Sequence, residues 1–184
     1  GLVLIYSASR GLENPNKYII VQSAGLVVGM LGFVILSAME FERFPRAWLL
    51  VFAFNILFNL SLRFLGVAGT TGNRSWIPLF AGINVQPGEV GKLLFIYTFG
   101  CHLYQLRDKL NAPLSVVQLG AHMGITAAAV YVFSKDLGVT LMYPLIFLVM
   151  IFAAGMSVWW IAGICAAGGA CTPVLWHFMS DSQR

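Results

Sequence analysis

Charge is what this 184-residue chain lacks. Asp, Glu, Lys and Arg together make up 10% of it, against about 25% in an ordinary soluble domain. With 59% hydrophobic residues and a mean hydropathy of +0.82, a water-soluble fold of this size would expose wide apolar patches and aggregate. A soluble globular enzyme is therefore excluded, and the solvent for this chain is a bilayer. Cysteine is scarce too. Cys101, Cys165 and Cys171 all fall within apolar runs, and the last two, six apart, lie on opposite sides of a helix. That excludes a disulfide framework and gives no metal-ligand spacing, leaving three small packing residues. There is no HExxH, no Ser-His-Asp arrangement and no nucleotide fingerprint. Gly91-Lys92 is not a P-loop, because the first Gly of GxxxxGK would fall at Gln86.

What is present is a succession of long uncharged runs, and a span needs roughly 20 apolar residues. Residues 18–39, 47–62 (extending past Arg63 towards Gly69), 93–106 and 110–134 each supply one. The run 137–180 is too long for a single helix and breaks naturally at Ala154-Gly155-Met156-Ser157. The expected fold is all-α, a polytopic transmembrane helical bundle of about six full helices in one membrane domain. Residues 1–9 are too few to cross and are expected to be the tail of a truncated first helix. The polar stretch ending in Gln183 and Arg184 is expected to open a further segment, so the chain reads as part of a longer protein. Short connections at 10–17, 40–46 and 105–113, each with Pro, join neighbours expected to be antiparallel. The loop at about 69–87 is longer, and long loops tend to be functional. Lys and Arg are spread almost evenly between the two sets of loops, so the positive-inside rule gives no orientation.

Four constellations could carry chemistry. Arg74 and Trp76 suit an interfacial anchor, with Trp at headgroup level and Arg snorkelling, or an anion clamp. Glu89 and Lys92 share a helix face at i, i+3, as a local ion pair or as a cation held for a lipid diphosphate. Asp136, after Lys135, suits an N-cap for the helix starting at Leu137, or a contact to a sugar hydroxyl or cation. His102 and His122 fall at different depths of their runs without a carboxylate partner. Such residues are more often helix–helix hydrogen-bonders than ligands. GxxxG spacings at Gly25/Gly29 and Gly120/Gly124 permit close helix packing.

These motifs resemble the SEDS family (FtsW, RodA and SpoVE). Tyr6-Ser7-Ala8-Ser9 is similar to the YSAS ending the family's first helix. Arg74-Ser75-Trp76-Ile77-Pro78-Leu79 followed by Val85-Gln86-Pro87-Gly88-Glu89-Val90-Gly91-Lys92 resembles RRWI…FQPSExxK. Lys135-Asp136-Leu137-Gly138-Val139-Thr140 resembles PDLGT, Phe152-Ala153-Ala154-Gly155 resembles LFxAG, and the stretch from His177 to Arg184 resembles the YQxxR entry into the large extracellular loop. Gly88 stands where Ser is usual, Lys135 where Pro is, and Ser182 where Tyr is. Altered local geometry is expected at the first two.

The resemblance implies a ten-helix, multi-pass protein of the bacterial inner membrane that polymerises lipid II into glycan strands beside a class B penicillin-binding protein, with undecaprenyl diphosphate as leaving group. It implies a catalytic Asp beyond Arg184, so none in this chain. Arg74, Lys92, Arg184 and Asp136 are the implied substrate-binding residues, supported by Glu89, Trp76 and Gln183. No cofactor follows, although a divalent cation is compatible with a diphosphate substrate, and nothing suggests nucleic acid. A lipid II flippase and a non-catalytic divisome scaffold are the alternative readings.

Overall fold

The computed structural model describes residues 2–9, 15–38, 47–67, 74–78 and 84–178. They form two compact units, residues 1–45 and 46–184. In the first, α1 (Leu2–Ser9) packs on α2 (Pro15–Ala38), a helix that Pro15 opens, where its missing N–H costs nothing.

The second unit holds α3 (Trp48–Leu60), continued after a turn at Ser61 by α4 (Leu62–Leu65), then α5 (Pro87–Leu106), α6 (Pro113–Ser134), α7 (Leu137–Ala153) and α8 (Val158–Phe178). α5 is central, touching α3, α6 and α7; α3 also packs on α6, α6 on α7, and α8 on α7. Among the described residues, Trp48–Leu65 and Pro113–Ser134 are long and apolar enough to cross a membrane. The long loop holds three short pairings among its described residues. Val67 bridges to Trp76, and β1 (Ile77–Pro78) pairs antiparallel with β2 (Asn84–Val85) in the register Ile77–Val85 and Pro78–Asn84.

Polarity in this unit is inverted relative to a soluble protein. Phe64 is 79% exposed and Trp159 87%, while Asn55, Asn59, Thr98, Thr126, Ser134 and His122 are buried. An apolar exterior with polar groups set into the interior is the packing expected where lipid supplies no hydrophobic drive between helices and hydrogen bonds help to link them. Three of the buried hydroxyls bond a carbonyl on their own helix: Thr126 Oγ1 to His122 at 2.8 Å, Ser134 Oγ to Val130 at 2.8 Å, Thr98 Oγ1 to Phe95 at 3.2 Å. The apolar core (Phe95, Phe99, Leu119, Val130, Tyr143, Phe147, Ile151) is built by α5, α6 and α7.

The break expected at residues 154–157 is a Schellman turn. Gly155 takes φ +81°, its N–H bonds the Phe152 carbonyl at 3.0 Å, and the Met156 N–H reaches back to Ile151 at 3.1 Å. Those two bonds satisfy orphan carbonyls at the end of α7, and the buried Met156 and Ile151 supply the apolar contact that goes with the motif. Asn111 then fixes the start of α8, its Oδ1 accepting from Ser157 N at 2.7 Å and its carbonyl from Trp160 Nε1 at 3.1 Å.

Two details bear on the unusual residues in the sequence motifs. Lys135 ends α6 at φ 57°, ψ 20°, with its N–H on the Tyr131 carbonyl, a conformation closed to proline, whose φ is fixed near −65°. A Cβ on Gly88 would lie 2.8 Å from Val139 Cγ1, so the small residue lets α7 approach the start of α5.

Gly91 is tighter still. A Cβ there would meet Tyr143 Oη at 2.6 Å and Asn55 Oδ1 at 2.7 Å. Gly91→Ala is therefore expected to destabilise the bundle by about 1–3 kcal/mol, seen as a lower thermal midpoint by circular dichroism in detergent. Lys135→Pro, which loses both its φ and its N–H bond, should cost more than about 1 kcal/mol by the same measurement.

Candidate functional site

Glu89, Lys92 and Asp136 lie on or just before the first turns of α5 and α7, next to the loop, a region here called the loop end. Pro87 sits in the first turn of α5 and Glu89 follows it there, a position where an acid complements the helix dipole. One turn on, Lys92 Nζ meets Glu89 Oε2 at 2.7 Å, the lysine side chain 20% exposed and the glutamate 51%. The lysine is thus the more sheltered partner, held by a carboxylate that water also reaches. An ammonium carries three hydrogens, so this pair leaves it able to serve an anion as well.

Asp136 is the N-cap of α7. Its Oδ1 accepts from Val139 N at 3.1 Å and its Oδ2 from Gln86 Nε2, also at 3.1 Å. The first bond satisfies an orphan helix N–H; the second ties the residue just before α5 to the residue just before α7. Both carboxylate oxygens are thereby engaged within the protein. Ser75 Oγ donates to the Ser134 carbonyl at 3.2 Å, docking the buried Ser75 on the C-terminus of α6 with exposed Arg74 and Trp76 on either side. Glu89 and Lys92 are brought into contact, then. Asp136 joins them through Gln86, Arg74 and Trp76 through the Ser75 bond. Gln183 and Arg184 lie outside the described residues.

Sequence reasoning missed the buried network beneath. Asn55 Nδ2 donates to the Gly91 carbonyl at 3.1 Å, and Tyr143 Oη to the Gly88 carbonyl at 2.9 Å. Asn59 Nδ2 donates to the Asn55 carbonyl at 2.9 Å and to Asn55 Oδ1 at 3.1 Å. With both its acceptors on the nitrogen side, the Asn59 amide is fixed in orientation, and its Oδ1 is left buried without a hydrogen-bond partner. The available signal was Asn55 and Asn59 at i, i+4 in an otherwise apolar helix; Tyr143, among apolar neighbours, gave none. The two histidines also depart from expectation. They are helix–helix hydrogen-bonders, but bonded to each other, Nδ1 to Nδ1, at 3.1 Å. Depth counted from the start of the apolar run at Leu110 misplaces His122, because α6 starts only at Pro113. Among the described residues no group of three or more His, Cys, Asp or Glu could hold a metal ion.

Comparison with known proteins agrees with the motif order. The family model described as "Cell cycle protein", FtsW/RodA/SpoVE, matches residues 1–184. Similar curated proteins include three named probable peptidoglycan glycosyltransferase FtsW. The one from Geobacter sp. (strain M18) is 29% identical, over 93% of this chain and 48% of its own length. That from Alkalilimnicola ehrlichii is 28% identical over 92% and 44%, and that from Pseudoalteromonas atlantica 25% over 97% and 37%. The chain thus spans about half or less of the length of these relatives. No solved structure matches. A match along the whole sequence, over an all-α bundle with lipid-facing apolar helices, places the chain in the FtsW/RodA/SpoVE (SEDS) family of membrane proteins.

Proposed function

We propose that the protein polymerises lipid II during bacterial cell-wall synthesis, this chain supplying part of the binding surface for the lipid-linked diphosphate. The observation that carries the reading is the cation at the head of α5, Lys92, sheltered and held by Glu89 beside a loop that Gln86 and Asp136 fix. The relatives' printed names, peptidoglycan glycosyltransferase, supply the reaction class. The chemistry is an inverting glycosyl transfer: an acceptor hydroxyl attacks the donor's anomeric carbon and the diphosphate leaves. Such a step needs a base for the hydroxyl and preorganised positive charge where the leaving group gains negative charge.

In this reading Lys92 and Arg74 contact the diphosphate, with Arg184 as a further cation. Asp136 supports them by holding Gln86 and capping α7, Glu89 by orienting Lys92, and Trp76 and Gln183 from the loops. The loop end faces away from the cytoplasm, in a multi-pass protein of the inner membrane working beside a class B penicillin-binding protein. No residue of this chain is assigned the role of base. A purified complete protein, with its partner, that moved labelled lipid II across vesicles without making polymer would favour the flippase reading. Activity in neither assay would favour a scaffold.

Lys92→Met is expected to lower polymerisation of labelled lipid II by about 10²-fold or more, and Glu89→Gln/Lys92→Met to remain as inactive. Recovery in the double variant would reduce Lys92 to a counter-ion for Glu89. Asp136→Asn should keep near-normal activity and stability, because Asn caps about as well as Asp and the Gln86 amide can turn to offer its oxygen. Asp136→Ala should lose about 1 kcal/mol of stability. An inactive but fully folded Asp136→Asn protein would show that the charge itself is needed.

A further inference from the structure

At the other end of α5 lies a cluster that the proposed reaction does not use. His102 and His122 face each other across the α5–α6 contact, Nδ1 to Nδ1 at 3.1 Å. Thr98 Oγ1 approaches His122 Nε2 at 3.3 Å and donates its one hydrogen to the Phe95 carbonyl. A hydroxyl has a single proton, so with that proton on the Phe95 carbonyl the tautomer that satisfies both contacts places a hydrogen on His122 Nε2. Neutral His122 then has a bare Nδ1, and the hydrogen between the rings belongs to His102 Nδ1. The bonds run in one direction, His102 to His122 to Thr98 to the Phe95 carbonyl. One nitrogen of the pair is left with an unused lone pair: Nε2 of His102, the more exposed of the two rings.

We propose that His102 and His122 form a binding site for a single proton inside the membrane, taken up on His102 Nε2. Uptake makes His102 an imidazolium without disturbing any bond in the chain. The Nδ1–H of His102 still donates to His122, now as a charge-assisted bond, which is roughly twice as strong as a neutral one. A second proton has nowhere to go, because on His122 Nδ1 it would set two N–H groups head to head. Trp48 completes the site. Its ring stacks on His102 at 4.8 Å with 20° between planes, and on His122 at 5.6 Å, within the range of about 6 Å over which an aromatic face attracts a cation. Phe52, Phe95 and Phe99 stand edge-on around His122, enclosing the ring that stays neutral.

Among the described residues, the helices packed around the pair bring no competing charge; Arg46, two residues before Trp48, lies outside them. α3 and α6 contain no Asp, Glu, Lys or Arg, and besides His122 the one ionisable side chain between them is Tyr131. α5 contributes Cys101, Tyr97 and Tyr104 on its own turns, with Glu89 and Lys92 at its far end. α7 contributes Tyr143, whose ring meets Phe95 at 5.4 Å. The nearest charges along the chain are those of the 3-10 turn Arg107–Lys109. His102 is one helical turn from that turn and ten residues, about 15 Å, from Lys92. The proton therefore comes from the aqueous phase on the side opposite the loop end, and its arrival tightens the α5–α6 contact. The site goes beyond the proposed reaction and does not depend on it.

The test is histidine-selective ¹⁵N NMR of the full-length protein in lipid nanodiscs. A coupling through the hydrogen bond between the two Nδ1 nuclei identifies both rings in the unaltered protein, and spectra of His102→Gln and His122→Gln check the assignment. Between about pH 8 and pH 5, the range over which histidine ordinarily changes charge, His102 is expected to gain an imidazolium signal at Nε2. His122 is expected to keep a bare Nδ1 throughout. Two rings that both become imidazolium, two that both stay neutral, a proton taken first by His122, or no coupling between the Nδ1 nuclei would each overturn the proposal.

Discussion

The arrangement at the loop end depends on how closely α3 and α7 approach the first two turns of α5. Gly88 and Gly91 leave no side chain in the way, and Tyr143 and Asn55 use the opening to donate into the carbonyls of those same residues. In a bilayer the helices gain little from apolar contact alone, so such bonds, together with close packing, position them. These are carbonyls already within a helix, so the donors add a second bond to acceptors that carry two lone pairs. Everything the site offers is set from there. Glu89 lies between Gly88 and Gly91, Lys92 directly follows Gly91, and Gln86 precedes them.

Much of the architecture was legible in the chain because its signals are local. The turn at residues 154–157 follows from Gly155 after an apolar run, the cap at Asp136 from an acid just ahead of Leu137, and the Glu89–Lys92 pair from i, i+3 spacing. Asn55–Gly91 and Tyr143–Gly88 join residues 36 and 55 apart, and no periodicity in one sequence announces such contacts. The strand pair within the loop was equally hidden, since two residues on each side carry no alternation to read. Gly88 in place of the usual Ser was visible as a departure, but its physical reason, Val139 at 2.8 Å, required the packing.

The two ends of α5 illustrate different ways of keeping ionisable groups in an apolar setting. At the loop end a lysine is paired with a carboxylate across one helical turn. At the other end two histidine rings meet Nδ1 to Nδ1 across two helices, with the face of Trp48 and the edge-on rings of Phe52, Phe95 and Phe99 around them. Intramembrane charge is expensive, and the helix meets that constraint by an ion pair in one place and by a histidine–histidine contact in the other.

Asn111 carries one more implication, about the order in which this protein is made. Its two bonds to Ser157 and Trp160 reach 46 and 49 residues ahead in the chain. At the ribosome's pace of roughly 5–20 residues per second, the turn between α5 and α6 waits several seconds for the residues that complete it. Throughout that interval the nascent bundle keeps a loosely held corner, and α8 arrives as the piece that closes it.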